Sequence, residues 1–241
     1  MKSFATLLVS LLAVSSWAAD DFSATEEKIK QALKGEVRTE ADTVRDRNRK
    51  PVETLKFFGL RHDMKVLELV PGDGWYTKVL APVLEKKGDL FLSIGAERLK
   101  DGLLKERGFK KVEVLAADLR NPPLDFDEKN FDMVLTFRNL HNFPAEGRRT
   151  INMAVFKALK KGGLYGVVDH TRRHMERDAP FNGRRVDPVL VIKELEAIGF
   201  EFVDFSSLHY RPDDELRYEV GVRSVTGNTD RFTMLFRKPK K

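Results

Sequence analysis

The sequence predicts an α/β fold in which helices cover both faces of a mostly parallel sheet, a doubly wound fold. From residue 65 onward, short apolar runs alternate with stretches of helical periodicity, which is typical of βαβ units. Near the carboxyl end two apolar runs follow each other with no helical pattern between them. We therefore expect the last two strands to pair antiparallel, because a parallel pair needs a long crossover connection.

Apolar runs and helical periodicity give the order of the elements. We expect strands at residues 66–70, 89–94, 111–116, 131–137, 164–169, 200–208 and 231–237. We expect helices at residues 76–86, 99–108, 148–160 and 188–198. Lysines followed by glycine at 86–88 and 160–163 indicate two helix ends. The polar segment 209–230 is loop-like and longer than a hairpin requires.

Residues 1–18 have the features of a cleaved secretory signal peptide. Lys2 supplies the positive charge, residues 4–14 form an apolar run, and Ser16 and Ala18 are small residues at the −3 and −1 positions. The run is shorter than the ~20 apolar residues that a transmembrane helix needs. We therefore expect an exported protein, periplasmic or secreted, with no integral membrane segment after cleavage.

The remaining chain divides into a helical extension at residues 19–60 and the α/β domain at residues 61–241. The extension contains a basic run at residues 45–50, which could fold across a ligand site or form a solvated helix face. The formal net charge of +6 is mild and its basic pairs are scattered, so we expect no nucleic-acid partner. The chain has no cysteine, which excludes disulfides, thiolate metal sites and a cysteine nucleophile.

The most informative segment is the turn after the first predicted strand, which reads Val-Leu-Glu-Leu-Val-Pro-Gly-Asp-Gly-Trp-Tyr-Thr at residues 66–77. In doubly wound folds such a turn binds nucleotide cofactors, because glycine lets the backbone approach the ligand closely. A dinucleotide requires a third glycine where this chain has Thr77. S-adenosylmethionine is cationic and suits an acid such as Glu68, while Asp118, after the third strand, suits an adenine amino group. This joint placement favours S-adenosylmethionine.

These residues resemble the class I S-adenosylmethionine-dependent methyltransferases, and more narrowly a bacterial group of predicted, often exported, methyltransferases. The matching segments are residues 45–51, 68–77, 80–82, 135–142, 162–170 and 229–232. The resemblance implies a seven-stranded, Rossmann-like methyltransferase sheet with the last strand antiparallel. We expect the cofactor site to include Glu68, Val70, Gly72, Gly74, Trp75, Glu97, Asp118, Leu119 and Arg138.

Two positions depart from that family's pattern. Val70 stands where the first glycine of the turn is usual, and Ile94 stands where an acid usually binds the ribose, although Glu97 could reach back. These departures keep a second interpretation open, a non-catalytic ligand-binding protein with a methyltransferase fold. An NAD-dependent oxidoreductase ranks third, because of Thr77.

Candidate catalytic residues follow the fourth and fifth predicted strands. His141 comes after the fourth, and Asp169 and His170 end the fifth. A histidine at this edge of the sheet could accept a proton from a methyl acceptor, although His141 could equally be structural. No metal-ligand spacing is present, so we expect no metal site. The sequence predicts methyl transfer from S-adenosylmethionine to a small molecule or a cell-envelope component.

Overall fold

Seven strands form one sheet in the order β3-β2-β1-β4-β5-β7-β6. The computed structural model describes residues 22–120 and 122–241, and the predicted signal peptide at residues 1–18 lies outside them. The strands are β1 (Lys65–Leu69), β2 (Asp89–Ser93), β3 (Glu113–Leu115), β4 (Phe131–Phe137), β5 (Leu159–His170), β6 (Glu201–Ser206) and β7 (Arg231–Arg237). The predicted α/β fold with seven strands is confirmed.

Strands β1 to β5 run parallel, and β7 lies antiparallel between β5 and β6. The predicted antiparallel pairing of the last two strands is therefore confirmed, with Glu201 facing Arg237 and Ser206 facing Thr233. The strand order reverses between β1 and β4, which are neighbours in the sheet although two strands separate them in the chain. In open α/β sheets, ligands bind outside the carboxyl ends of the strands at such a reversal.

Helices cover both faces of the sheet. They are α1 (Ser23–Ala32), α2 (Glu40–Thr43), α3 (Asp46–Arg49), α4 (Pro51–Phe57), α5 (Thr77–Leu84), α6 (Ala145–Ala158) and α7 (Pro188–Ile198). Helices α1, α4 and α5 share one hydrophobic core with alternate strand residues such as Val66. Helices α6 and α7 share the other core with the intervening strand residues, such as Leu67. No helix of the described ranges is long and apolar enough to span a membrane.

The helix predicted at residues 99–108 is wrong. The chain instead forms two short 3₁₀ helices, Ala96–Leu99 and Leu103–Lys105. Gly102 separates them with φ −126° and ψ −100°, far from helical values, so the apolar periodicity of this segment does not become an α-helix.

The helix predicted at residues 148–160 ends earlier, at Ala158. Leu159 already pairs with Phe131 of β4, so the lysines and glycines at 160–163 belong to β5 and are not a helix exit. The N–H of Gly162 donates to the carbonyl of Lys238, which continues this end of the strand toward the chain terminus. Sheet pairing has overridden the local signal for a helix end.

Candidate functional site

Three neighbouring strands of the sheet end with the same backbone feature. Val70, Ile94 and Arg138 directly follow β1, β2 and β4, and all three have positive φ values, of 50°, 58° and 63°. A positive φ is unfavourable for bulky side chains, above all for β-branched ones. Such strain clusters at functional sites. Val70 stands where glycine is usual, and it keeps the left-handed conformation that glycine adopts easily.

A cavity of about 450 Å³ lies at the carboxyl ends of β1 and β4, and we call it the first cavity. Its volume is in the range of small-molecule sites. The β1–α5 connection, the start of α5 and the end of β4 contribute Glu68, Val70, Pro71, Gly72, Asp73, Trp75, Tyr76, Lys78, Phe137, Arg138 and Asn139. The N-terminal extension contributes Thr39, Ala41, Asp42, Arg45 and Arg49. Two arginines of the basic run at residues 45–50, Arg45 and Arg49, therefore line the cavity, whereas Arg47 of the same run is exposed and does not.

Glu68 is the most buried of the three acidic residues that line the first cavity, the others being Asp42 and Asp73. It is 2% exposed, and the hydroxyl of Thr77 donates a hydrogen bond of 2.7 Å to its Oε2 atom. Burial raises the pKa of Glu68 to about 7, although the Thr77 hydrogen bond and the positive charge of Arg49 act in the opposite direction. A cationic ligand beside this carboxyl would favour its ionised form.

Trp75 packs against the N-terminal extension. The Arg49 guanidinium lies 4.3 Å from its ring centroid, and the Arg38 guanidinium lies 5.1 Å away. The indole N–H donates to the carbonyl of Asp42 at 3.0 Å. Next to it, Tyr76 stacks on Phe137 with ring centroids 3.5 Å apart. The aromatic residues after the turn therefore join the extension to the sheet and form a wall of the cavity.

A second cavity of about 300 Å³ adjoins the first. The two cavities share Arg45, Arg49 and Arg138. The second is also lined by Asn48, His170, Arg184, Val220, Gly221, Thr226, Gly227, Thr229 and Arg231. It therefore lies between α3, the end of β5 and the loop before β7.

The three predicted catalytic residues come together. Asp169 is fully buried, and its Oδ1 atom lies 2.5 Å from Nδ1 of His141. Its carboxyl also accepts the backbone N–H groups of His141 and His170, at 3.1 and 2.7 Å. The ring centroids of the two histidines are 5.5 Å apart. His141 and Asp169 line neither cavity, whereas His170 lines the second.

His170 is held by the loop before β7. Its Nδ1 atom lies 2.8 Å from Oγ1 of Thr229. Burial, together with the positive charges of Arg231 and Arg138, lowers the pKa of His170 well below its usual range. Its imidazole is therefore neutral at neutral pH, and the same lowering of the pKa makes it a weaker base than an exposed histidine. Among the described residues, no group of three His, Asp or Glu side chains is arranged to hold a metal ion.

Four of the predicted cofactor residues line neither cavity. Glu97 is exposed in the turn after β2, and Asp118 is exposed after β3, where it accepts hydrogen bonds from the backbone and side chain of Arg120. Leu119 is half-buried against the apolar core. At Gly74, with φ +77°, a Cβ atom would lie 2.5 Å from a methyl carbon of Leu103, so this glycine allows close packing.

Sequence reasoning missed Arg231 as a site residue, because it lies at the start of the last strand, far along the chain from the glycine turn. The one available signal was the segment at residues 229–232, which is among the segments that resemble the class I methyltransferases but to which the sequence analysis assigned no role.

The geometry defines a small-molecule site on a doubly wound α/β fold, and comparison with known proteins gives its class. Residues 45–181 match the ubiE/COQ5 methyltransferase family, and the chain belongs to that family. It is a methyltransferase, and its cofactor is S-adenosylmethionine. A comparison with curated proteins finds no match.

Solved structures share the fold at low sequence identity. An S-adenosylmethionine-dependent methyltransferase from Aquifex aeolicus is 19% identical with a TM-score of 0.60, and the match covers 88% of this chain and 97% of that one. A sarcosine dimethylglycine methyltransferase, described as putative, from Galdieria sulphuraria is 13% identical with a TM-score of 0.59, covering 90% and 99%. The [4+2]-cyclase SpnF is 15% identical with a TM-score of 0.59, covering 91% and 94%.

The residues of the first cavity fit the methionine part of S-adenosylmethionine. Its ammonium and sulfonium charges suit the buried carboxyl of Glu68, and its carboxylate suits Arg45, which lines the same cavity.

Proposed function

We propose that this protein methylates a small molecule or a cell-envelope component outside the cytoplasm, with S-adenosylmethionine as the methyl donor. The observation that carries the proposal is the buried carboxyl of Glu68 in a cavity at the strand-order reversal, next to a second cavity with room for an acceptor. Two adjoining cavities are what transfer between two bound molecules requires.

Each wall of the first cavity has a role in this proposal. Glu68 binds the positive end of the donor, and Arg45 binds its carboxylate. The side chain of Asn139 donates to the carbonyls of Val70 and Phe137, which joins the ends of β1 and β4 and positions the site. When bound, S-adenosylmethionine supplies a methyl group on a positively charged sulfur.

His170 is the proposed proton acceptor. It lines the second cavity, and its imidazole is neutral because burial and the surrounding arginines disfavour the charged form. The same effects weaken it as a base, and an acceptor that carries negative charge would offset them. Asp169 accepts the backbone N–H of His170, and its carboxyl also bonds the imidazole of His141. We therefore assign Asp169 and His141 to positioning His170.

The test of the site is calorimetric titration of the purified protein with S-adenosylmethionine, S-adenosylhomocysteine and NAD. We expect both adenosyl compounds to bind and NAD not to bind. Glu68→Ala should weaken S-adenosylmethionine binding at least tenfold, because the cation loses its buried partner. Glu196→Ala, an exposed carboxylate on α7, should leave the affinity unchanged.

Either of two results would count against this proposal. If neither adenosyl compound binds, the proposed activity is wrong. If Glu68→Ala binds as tightly as the wild type, the placement of the donor is wrong.

Export is supported by the charged and apolar pattern of residues 1–18. We expect cell fractionation to recover the protein outside the cytoplasm with Ala19 as its first residue. An intact N-terminus on cytoplasmic protein would contradict this expectation.

A second candidate function is ligand binding without methyl transfer. It is favoured by the end of β2, where Ile94 occupies the position of the usual ribose-binding acid and Glu97 is exposed. This candidate predicts that S-adenosylmethionine binds but is not converted to S-adenosylhomocysteine when cell-envelope extracts are added. Conversion would exclude it.

A further inference from the structure

The second cavity is lined by positive charge. Arg45, Arg49, Arg138, Arg184 and Arg231 all contribute to it, and no aspartate or glutamate is among its lining residues. Arg49 and Arg231 are buried, with exposed fractions of 6% and 7%. Buried guanidinium groups are rare in proteins unless they are paired with acids.

The internal partners of these arginines are few. Arg231 donates from Nη1 to the carbonyl of Asn48 at 3.0 Å, but its buried Nε atom has no hydrogen-bond acceptor in the described part of the chain. The guanidinium groups of Arg49 and Arg138 make no hydrogen bond or ion pair with any described residue. Only Arg184 is paired with a carboxylate, that of Glu219.

The arginines also repel one another. Burial, and after it the charge of Arg138, lowers the pKa of Arg49 to about 9 and that of Arg231 to about 10. Uncompensated buried charges destabilise a fold strongly. A bound anion would offset this repulsion, and it would also weaken the effect that lowers the pKa of His170 in the same cavity.

We propose that the second cavity binds a phosphate, or a similar dianionic oxyanion, carried by the methyl acceptor. The inference rests on the proposed function, because it takes the first cavity to hold the donor. Arg49, Arg138 and Arg231 present planar donor groups suited to an oxyanion. Arg49 stacks on Trp75, and Asp169 acts on Arg138 and Arg231 from outside the cavity, but none of the three guanidinium groups forms an ion pair with a described carboxylate. A dianion would compensate three such cations more fully than a monoanionic carboxylate would. The bound anion would place the acceptor next to the shared arginine wall, beside the donor and His170.

The probe is inorganic phosphate, titrated calorimetrically at constant ionic strength into the protein saturated with S-adenosylhomocysteine, so that the first cavity is filled. We expect one phosphate per chain and at least tenfold weaker binding of acetate. Arg231→Gln should weaken phosphate binding at least tenfold, because Arg231 lines only the second cavity. Arg223→Gln removes the same charge from an exposed position on the preceding loop and should have no effect.

Arg231→Lys keeps the charge but loses the planar donor group, and it tests the site if Arg231→Gln does not fold. We expect phosphate affinity between those of the wild type and the glutamine variant. Equal phosphate affinity in wild type and either Arg231 variant would overturn the proposal, as would acetate binding as tightly as phosphate.

The affinity for S-adenosylhomocysteine separates this inference from the proposed function. Arg231→Gln should bind S-adenosylhomocysteine as the wild type does, because only the acceptor site is altered. If the wild type binds no S-adenosylhomocysteine, the proposed function fails, while titration of phosphate into the unliganded protein still decides whether the anion site exists.

Discussion

At the scale of single residues, Glu68 has the most unusual environment in the first cavity. It lies near the carboxyl end of a buried strand with one side-chain hydrogen-bond donor, Thr77, and the positive charge of Arg49 acts on it. A carboxyl group in this position destabilises the unliganded fold when it is ionised. The site therefore retains an acid where packing alone would favour an apolar or amide side chain.

We predict that Glu68→Gln stabilises the unliganded protein in a pH-dependent manner. The pKa of Glu68 is raised from 4.5 to about 7 on folding, so its contribution to stability is fully present below pH 4.5 and is lost as the pH rises through 7. At pH 8 the glutamine variant should have the larger free energy of unfolding, by up to roughly 3 kcal/mol. The difference should shrink toward pH 5.

Urea denaturation at pH 5, 6, 7 and 8 measures this, with the exposed Glu196→Gln as the matched control. If the difference in unfolding free energy between Glu68→Gln and the wild type does not vary with pH, Glu68 does not titrate between pH 5 and 8 and burial does not raise its pKa to about 7.

At the scale of elements, the contact between α4 and β5 depends on one glycine. A Cβ atom at Gly166 would lie 2.7 Å from a methyl carbon of Leu135 and 2.8 Å from the ring of Phe58, which follows α4. Gly166 thus leaves the space that lets the N-terminal extension pack directly on the sheet. The same packing holds α3, and with it Arg49, over the cavities.

We predict that Gly166→Ala destabilises the protein by about 1–3 kcal/mol, because the core would be overpacked. Gly147→Ala, within α6, has its nearest neighbouring atom at 3.4 Å and should be neutral or stabilising by up to about 1 kcal/mol. Urea denaturation compares the two variants. Equal free energies of unfolding would mean that the ring of Phe58 moves away from residue 166 without loss of stability.

At the scale of the whole molecule, the N-terminal extension and the sheet form a common hydrophobic core. Ile29 and Leu55 of the extension are fully buried in the same cluster as Val79 of α5 and Met133 of β4. Such shared burial favours unfolding in a single cooperative step.

We predict that fluorescence and circular dichroism report the same unfolding transition. Trp75 is buried between the extension and the glycine turn. The chain's other tryptophan, Trp17, lies in the predicted signal peptide, so the cleaved protein has Trp75 as its single indole. Urea midpoints from Trp75 fluorescence and from far-ultraviolet circular dichroism should coincide. A lower midpoint by fluorescence would mean that the extension detaches before the sheet unfolds.

Local sequence patterns predicted much of the fold. The strands at 131–137 and 231–237 and the helix at 188–198 agree with the structure at both ends, because burial periodicity and capping residues are properties of short segments. The predictions of a helix at 99–108 and of a helix end at 160–163 were wrong. Gly102 interrupts the first segment with a non-helical backbone, and pairing of β5 with β4 makes the second a strand.

The sequence by itself determined the α/β class, the glycine turn with its buried acid, and the resemblance to methyltransferases, since each depends on neighbouring residues. Only the tertiary structure brought Arg49, Arg138 and Arg231 to one cavity, from the extension, the end of β4 and the start of β7. No spacing in the sequence relates these three positions. Their proximity follows from strand order and from the packing of the extension, which are properties of the whole fold.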